Sequence, residues 1–229
     1  MIVALTGQKG GVGKSTLATG LAAEALRRGL SVLLVDADPQ GTARTWGEVA
    51  VEAGQPVPTI VAMGASMHRA DQLPQVAGNF DLVIIDCPPR AGDVQRSALM
   101  VADVAIMPSG PSAADAWALA TTLEVVSEAQ TLRPDLRAAL VITRKQPRTA
   151  IGKGAREVLT ASGLPVLKTE LGYRVAYQEA LAAGQGASTY APKSDAATEL
   201  RELLDEVFIL GGTHGRKRKK QGKARRSHS

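Results

Sequence analysis

Eight consecutive residues, Lys9-Gly10-Gly11-Val12-Gly13-Lys14-Ser15-Thr16, have the composition needed to hold a phosphate chain. Glycines at 10, 11 and 13 let backbone N–H groups turn inward onto an anion. The Lys14 ammonium can reach the β- and γ-phosphates, and the Ser15 hydroxyl can ligate Mg²⁺. The standard spacing G-x-x-x-x-G-K-[ST] needs a glycine where Gln8 stands, and a second lysine, Lys9, follows it. Two acidic positions complete the set. Asp36 and Asp38 close the run Val32-Leu33-Leu34-Val35, and Asp86 closes Leu82-Val83-Ile84-Ile85. A carboxylate at the end of such a run can hold Mg²⁺ through a water. Asp36 and Asp38 also suit a turn or a helix N-cap before Pro39. Cys87 could be a reactive thiol beside this site, or simply a small buried side chain.

Chemistry of this kind needs a scaffold that brings the three segments to one edge. The glycine loop follows a short apolar strand at 2–6 and opens a helix at 15–29, which is the context a phosphate loop requires. Gly29 closes that helix. Strands are expected at 31–36, 59–62, 81–86, 103–108, 137–143 and 165–168. Helices are expected at 42–51, 66–76, 94–101, 113–132, 154–162, 173–183 and 195–210. Strands alternating with helices throughout indicate an α/β fold, a mainly parallel sheet with helices on both faces. Ligands then collect at the carboxyl ends of the strands.

The chain has 229 residues, enough for one α/β domain with an appendage; 45% are hydrophobic and only 3% aromatic. The core must therefore be built from Ala, Val, Leu and Ile, which suits buried parallel strands. One cysteine excludes an internal disulfide framework and points to a reducing cytoplasm. No signal peptide and no membrane-spanning run are expected. The three histidines have no metal-ligand spacing, and Trp46, Trp117 and the tyrosines are expected in the core or at its rim. Charge is unevenly distributed. Residues 211–229 carry Arg216, Lys217, Arg218, Lys219, Lys220, Lys223, Arg225 and Arg226 with no acid. Taking those eight from the total of 27 leaves 19 basic residues against 22 acidic ones. A mildly acidic body at 1–210 thus carries a basic tail whose composition predicts disorder.

The segments K-G-G-V-G-K-S-T, V-D-A-D-P-Q and D-L-V-I-I-D-C-P-P resemble the deviant Walker A, A′ and B elements of the ParA/MinD family of P-loop ATPases. Residues 107–112, 141–145 and 190–194 also look like that family, and the resemblance covers roughly 1–210. The short form without an N-terminal helix-turn-helix domain fits best, and the members most like it are plasmid and chromosome partition ATPases. By that resemblance the ligands are ATP and Mg²⁺. Lys9 is the signature lysine, reaching across an ATP-sandwich homodimer to the partner's nucleotide. Lys14 is the P-loop lysine, Ser15 the metal hydroxyl, and Thr16 a phosphate contact. Asp38 orients the attacking water, with Asp36 and Asp86 on the Mg²⁺ side.

Turnover in such enzymes is slow alone and is stimulated by a ParB-like centromere-binding adaptor. The resemblance also implies nonspecific DNA binding through basic residues of the C-terminal half, and a nucleoid-associated location. The candidates are Arg144, Lys145, Arg148 and Arg174, with Arg216, Lys217, Arg218, Lys219 and Lys220 in the tail. Phosphate contacts suffice for such binding. Arg144 has a second possible place, near the adenine. Relatives that position a non-DNA cargo, such as carboxysomes or chemoreceptor clusters, share these motifs. MinD relatives anchor to membrane through a C-terminal amphipathic helix. Here that helix sets Leu200, Leu203, Leu204 and Val207 against Glu199, Glu202, Asp205 and Glu206. An acidic face is repelled by anionic lipid, so packing on the sheet is expected and stable membrane association is not.

Overall fold

The computed structural model describes residues 1–90, 92–146 and 149–212. Seven strands form one sheet: β1 (Ile2–Leu5), β2 (Val32–Asp36), β3 (Thr59–Ala62), β4 (Leu82–Asp86), β5 (Val104–Ser109), β6 (Arg137–Lys145) and β7 (Val166–Gly172). Their order is β3-β2-β4-β1-β5-β6-β7, and every pairing is parallel. The expected α/β class is the observed one. Strands β2, β4 and β5 are buried along their whole length, which is why they read as unbroken apolar runs. After β1 the chain builds outward in one direction to β3, then returns beside β1 and builds the other way. That reversal is a topological switch point, where a crevice opens at the carboxyl ends of the strands. Register then sets the height of the acidic groups: Asp86 pairs with Leu5 on one side and with Asp36 on the other.

Helices cover both faces. On one lie α1 (Lys14–Arg27), α2 (Thr42–Glu52), α7 (Val175–Ala182), the short α8 (Ala187–Tyr190) and α9 (Asp195–Leu210), packed on Val3, Leu5, Leu34 and Ile84. On the other lie α3 (Leu73–Ala77), α4 (Gly92–Val101), α5 (Ala113–Leu132) and α6 (Ala150–Thr160), packed on Ala4, Val35, Val83 and Ile85. Alternate strand residues feed alternate cores, as the period of two requires. Alanines let α1 approach its neighbours: Ala18, Ala22 and Ala25 are fully buried. A Cβ on Gly20 would lie 3.1 Å from the Leu200 side chain, so α1 and α9 meet through the smallest available residue.

Helix α9 packs on the sheet as expected, with Leu200, Leu203, Leu204 and Val207 at most 1% exposed. Its acidic face has a second task, because β7 is an edge strand with amides pointing outward. Glu206 accepts from the Lys168 and Thr169 N–H groups at 2.7 Å each, and Glu199 accepts from Gly172 N–H at 3.2 Å. Those carboxylates let β7 continue to Gly172, four residues beyond the expected 168. No described helix is long and apolar enough to cross a membrane. The helix expected at 66–76 is shorter and later, because Pro74 is suited to the first turn of a helix and α3 starts at Leu73. Upstream the chain makes successive turns, and His68 is drawn to Ser97 through both its N–H and its ring. Trp46 is buried and donates to the Gln185 carbonyl at 3.1 Å. Trp117 is 77% exposed, at neither core nor rim.

Candidate functional site

The loop after β1 turns through left-handed backbone at Gly11 (φ 74°) and Gly13 (φ 101°), conformations that side chains disfavour. Gly13 caps α1 and leaves that helix's first N–H groups facing the crevice. The far strand grips the same loop: Thr143 Oγ1 donates to the Val12 carbonyl at 2.9 Å and Arg144 donates to the Gly11 carbonyl at 3.0 Å. Lys14 is buried and its ammonium donates to the Lys9 carbonyl at 3.0 Å. Desolvation lowers its pKa, while the charges of Asp86 and Asp38 act the other way.

Asp86 is fully buried, and neither carboxylate oxygen is held in a well-formed hydrogen bond, although the Ser15 hydroxyl lies close. Desolvation raises its pKa to about 7, Asp36 adds repulsion, and the nearby Ser15 hydroxyl and Lys14 pull it back. A buried carboxylate left unpaired beside a serine hydroxyl and a lysine fits a divalent cation. Mg²⁺ keeps most of its waters and takes one or two protein groups plus phosphates. Ser15 would ligate it and Asp86 would hold it through water. Among the described residues no three Asp, Glu, His or Cys side chains converge as a metal cage.

The two neighbouring aspartates differ in their surroundings. Asp36 is buried, and its oxygens accept from Asp38 N–H at 3.2 Å, Arg44 N–H at 3.0 Å and the Arg44 side chain at 3.3 Å. It therefore ties the start of α2 to the end of β2 and aims Asp38. Asp38 is part-exposed and accepts from Gln40 N–H at 2.9 Å through Oδ1, an Asx-turn. Cys87 is fully buried, with its thiol pKa pushed up by desolvation, so it is inert.

Beside the loop lies a cavity of about 370 Å³. Its walls are the loop, Leu17, the end of β6, residues 171–174, Tyr177 and Gln178. Arg144 adopts φ 55° and its guanidinium lies 5.6 Å from the centre of the Tyr173 ring. Arg144 is thus part of the wall of this cavity.

The basic candidates are largely engaged within the chain. Lys145 pairs with Glu170, and Arg174 pairs with Glu199 at 2.7 Å and Asp195 at 2.8 Å. Arg148 and the tail candidates Arg216, Lys217, Arg218, Lys219 and Lys220 lie outside the described residues. The sequence reading passed over several groups that the fold brings to the loop. Gln8 N–H donates to Thr122 Oγ1 at 3.1 Å, its side chain reaches Gln95 at 3.2 Å, and Lys9 meets Asp115 at 2.6 Å. Only the S-x-x-D pattern at 112–115 gave a local signal, for a capped helix.

The model of the CobQ/CobB/MinD/ParA nucleotide binding domain matches residues 3–187. The chain belongs to this family. It is 34% identical over 209 residues to "Maintenance of carboxysome distribution protein A" of Halothiobacillus neapolitanus, covering 90% of this chain and 95% of that protein. It is 30% identical over 235 residues to "Chromosome-partitioning ATPase Soj" of Thermus thermophilus, covering 90% of this chain and 94% of that protein. Among solved structures, cobyrinic acid a,c-diamide synthase from Mycobacterium smegmatis with bound ADP and magnesium is 26% identical. Its TM-score is 0.69, over 90% of this chain and 93% of that one. Nucleotide and magnesium binding are thus properties of the family. The ParA/MinD resemblance expected from the motifs is the family found.

Proposed function

We propose that this chain is a positioning ATPase that pairs on Mg-ATP, holds nonspecific DNA while paired, and lets go when an adaptor stimulates hydrolysis. The observation that carries the reading is the union of Lys9 in the phosphate loop with Asp38 and the unpaired Asp86 at neighbouring strand ends. In the paired state Lys9 of each chain serves the other's phosphates, a cation supplied in trans like an arginine finger. Lys14 and the loop amides hold the β- and γ-phosphates, and Asp38 orients the attacking water. Mg²⁺, when bound, supplies charge neutralisation at the phosphates. Arg144 and Tyr173 wall the base.

For DNA, the pairing of Lys145 and Arg174 with acids shifts weight to the tail, whose eight cations have no acidic neighbour in sequence. The setting is a reducing cytoplasm, on the nucleoid, with a small DNA-bound adaptor as the ParB-like partner and plasmid or chromosomal DNA as cargo. A second reading, a carboxysome or other protein cargo, is favoured by the 34% identity to the Halothiobacillus protein. The test is Asp38→Ala on plasmid-free DNA fragments with Mg-ATP. A nucleotide-loaded pair that stays on DNA supports the reading; rapid turnover and release by that variant overturns it.

A further inference from the structure

Gln95, in the first turn of α4, is 0% exposed, and no step of the Mg-ATP chemistry uses it. A glutamine so buried must place both a donor and an acceptor. Its amide nitrogen donates to the Pro88 carbonyl at 3.0 Å and to the Gly7 carbonyl at 3.4 Å. Its oxygen accepts from the Gln8 side chain at 3.2 Å. Chemistry dictates this orientation, because turning the amide over would set its oxygen against two carbonyl oxygens.

The three partners belong to two loops. Gly7 and Gln8 lead into Lys9, and Pro88 lies just past Asp86 and Cys87. Register sets Leu5 beside Asp86, and Cys87 N–H donates to the Leu5 carbonyl at 3.1 Å. Beyond that bond, Pro88 and Pro89 have no N–H to give. Among the described residues no backbone hydrogen bond joins 6–9 to 88–90. Gln95 makes that link. Gln8 is fixed from its other side as well, since Thr122 of α5 accepts from its N–H at 3.1 Å. One helix side chain thus ties the segment leading to Lys14 and Ser15 to the segment that follows Asp86.

We propose that Gln95 is a positioning residue that couples magnesium to nucleotide. Its tie keeps Lys14, Ser15 and Asp86 at the spacing that a cation shared with phosphate requires. The proposal rests on the Mg-ATP reading of the site. Coupling of this kind is reciprocal: magnesium tightens nucleotide by the same factor as nucleotide tightens magnesium. Loss of the buried neutral hydrogen bonds that form the tie lowers that factor by about three- to tenfold.

The full chain is titrated with ADP, once in EDTA and once with saturating Mg²⁺, so that neither hydrolysis nor ATP-driven pairing intrudes. The readout is the ratio of the two dissociation constants. A variant that is merely less folded loses apparent affinity equally in both titrations, and its ratio does not move. Gln95→Met keeps the length of the side chain but can neither donate to the carbonyls nor hold Gln8, and its ratio falls about three- to tenfold. Gln8→Met, at a part-exposed position, removes one bond of the tie and lowers the ratio about two- to fourfold. The double variant matches Gln95→Met alone, because both changes break the same link. A wild-type ratio in folded Gln95→Met overturns the proposal, and so do losses that multiply in the double variant. Where Gln95→Met does not fold, a wild-type ratio in Gln8→Met overturns it. If ADP binding by the wild-type chain is indifferent to magnesium, the Mg-ATP reading fails and the proposal falls with it.

Discussion

Replacing Asp86 with asparagine has opposite effects on the chain alone and on its complex with Mg-ATP. Asp86 is buried without a well-formed hydrogen bond, and its pKa is raised from 3.8 to about 7, first by desolvation. In the unfolded chain the group ionises near 3.8, whereas the folded chain keeps its proton to about 7. Between those values the folded state binds more protons than the unfolded one, so stability falls as pH rises from about 4 to 7 and levels off above. A shift of about three units corresponds to on the order of 4 kcal/mol lost by pH 8. Asparagine has no such titration. Its amide is also unpartnered, so it recovers part of that loss. Urea unfolding, followed by fluorescence of the buried Trp46, gives the difference between the two proteins at pH 4.5, 6 and 8 without magnesium or nucleotide. Asp86→Asn gains on wild type by at least about 2 kcal/mol across that range. With Mg-ATP the order reverses, because the carboxylate then has a cation to hold, and the thermal shift caused by Mg-ATP is large only in wild type. A stability difference that does not change with pH refutes the reasoning, and so does an Mg-ATP shift of equal size in both proteins.

Four further outcomes follow from particular contacts. Lys14→Ala weakens nucleotide binding by at least about tenfold in equilibrium titration, because a charged donor to phosphate is lost. Arg144→Ala removes the strap between the Gly11 carbonyl and the Tyr173 ring and weakens nucleotide binding about three- to tenfold in the same titration, with little change in unfolding midpoint. Glu206→Ala strips the acceptor from two β7 amides and lowers stability by about 2 kcal/mol, and Glu206→Gln recovers part of it in urea unfolding. Truncation after Gly212 keeps the end of α9, where Gly211 N–H bonds the Val207 carbonyl at 2.9 Å. It flattens the salt dependence of DNA binding, by up to about seven in log–log slope if all eight tail cations meet phosphates. Nucleotide affinity stays unchanged.

The sheet was legible because its central strands are buried on both faces and so appear as uninterrupted apolar runs ending in Asp36 and Asp86. The phosphate loop was legible because glycine spacing and Lys14-Ser15 are contiguous. What stayed hidden was set by neighbours distant in sequence. Lys9 meets Asp115 only because the ends of β1 and β5 are adjacent, a fact of strand order. Asp36 reads as a metal-side carboxylate, and its bonds to the Asp38 and Arg44 amides of the following turn had no signal in the sequence. Arg144, Lys145 and Arg174 read as a basic surface, but β7 and α9 bring Glu170, Asp195 and Glu199 to two of them and the loop to the third. The polar side of α9 was legible as acidic, and its task of capping an edge strand was not.

The trans delivery of Lys9 is the claim on which the rest depends, and mixing two disabled chains tests it most directly. Lys9→Ala keeps a loop that binds ATP but has no lysine to give; Lys14→Ala is poor at binding ATP but still carries Lys9. ATP hydrolysis is measured for each alone and for equal mixtures at saturating Mg-ATP. Restored turnover in the mixture, from the Lys9→Ala site served by the other chain's Lys9, is the predicted result. A mixture no more active than the sum of its parts, alongside proven mixed pairs, contradicts it.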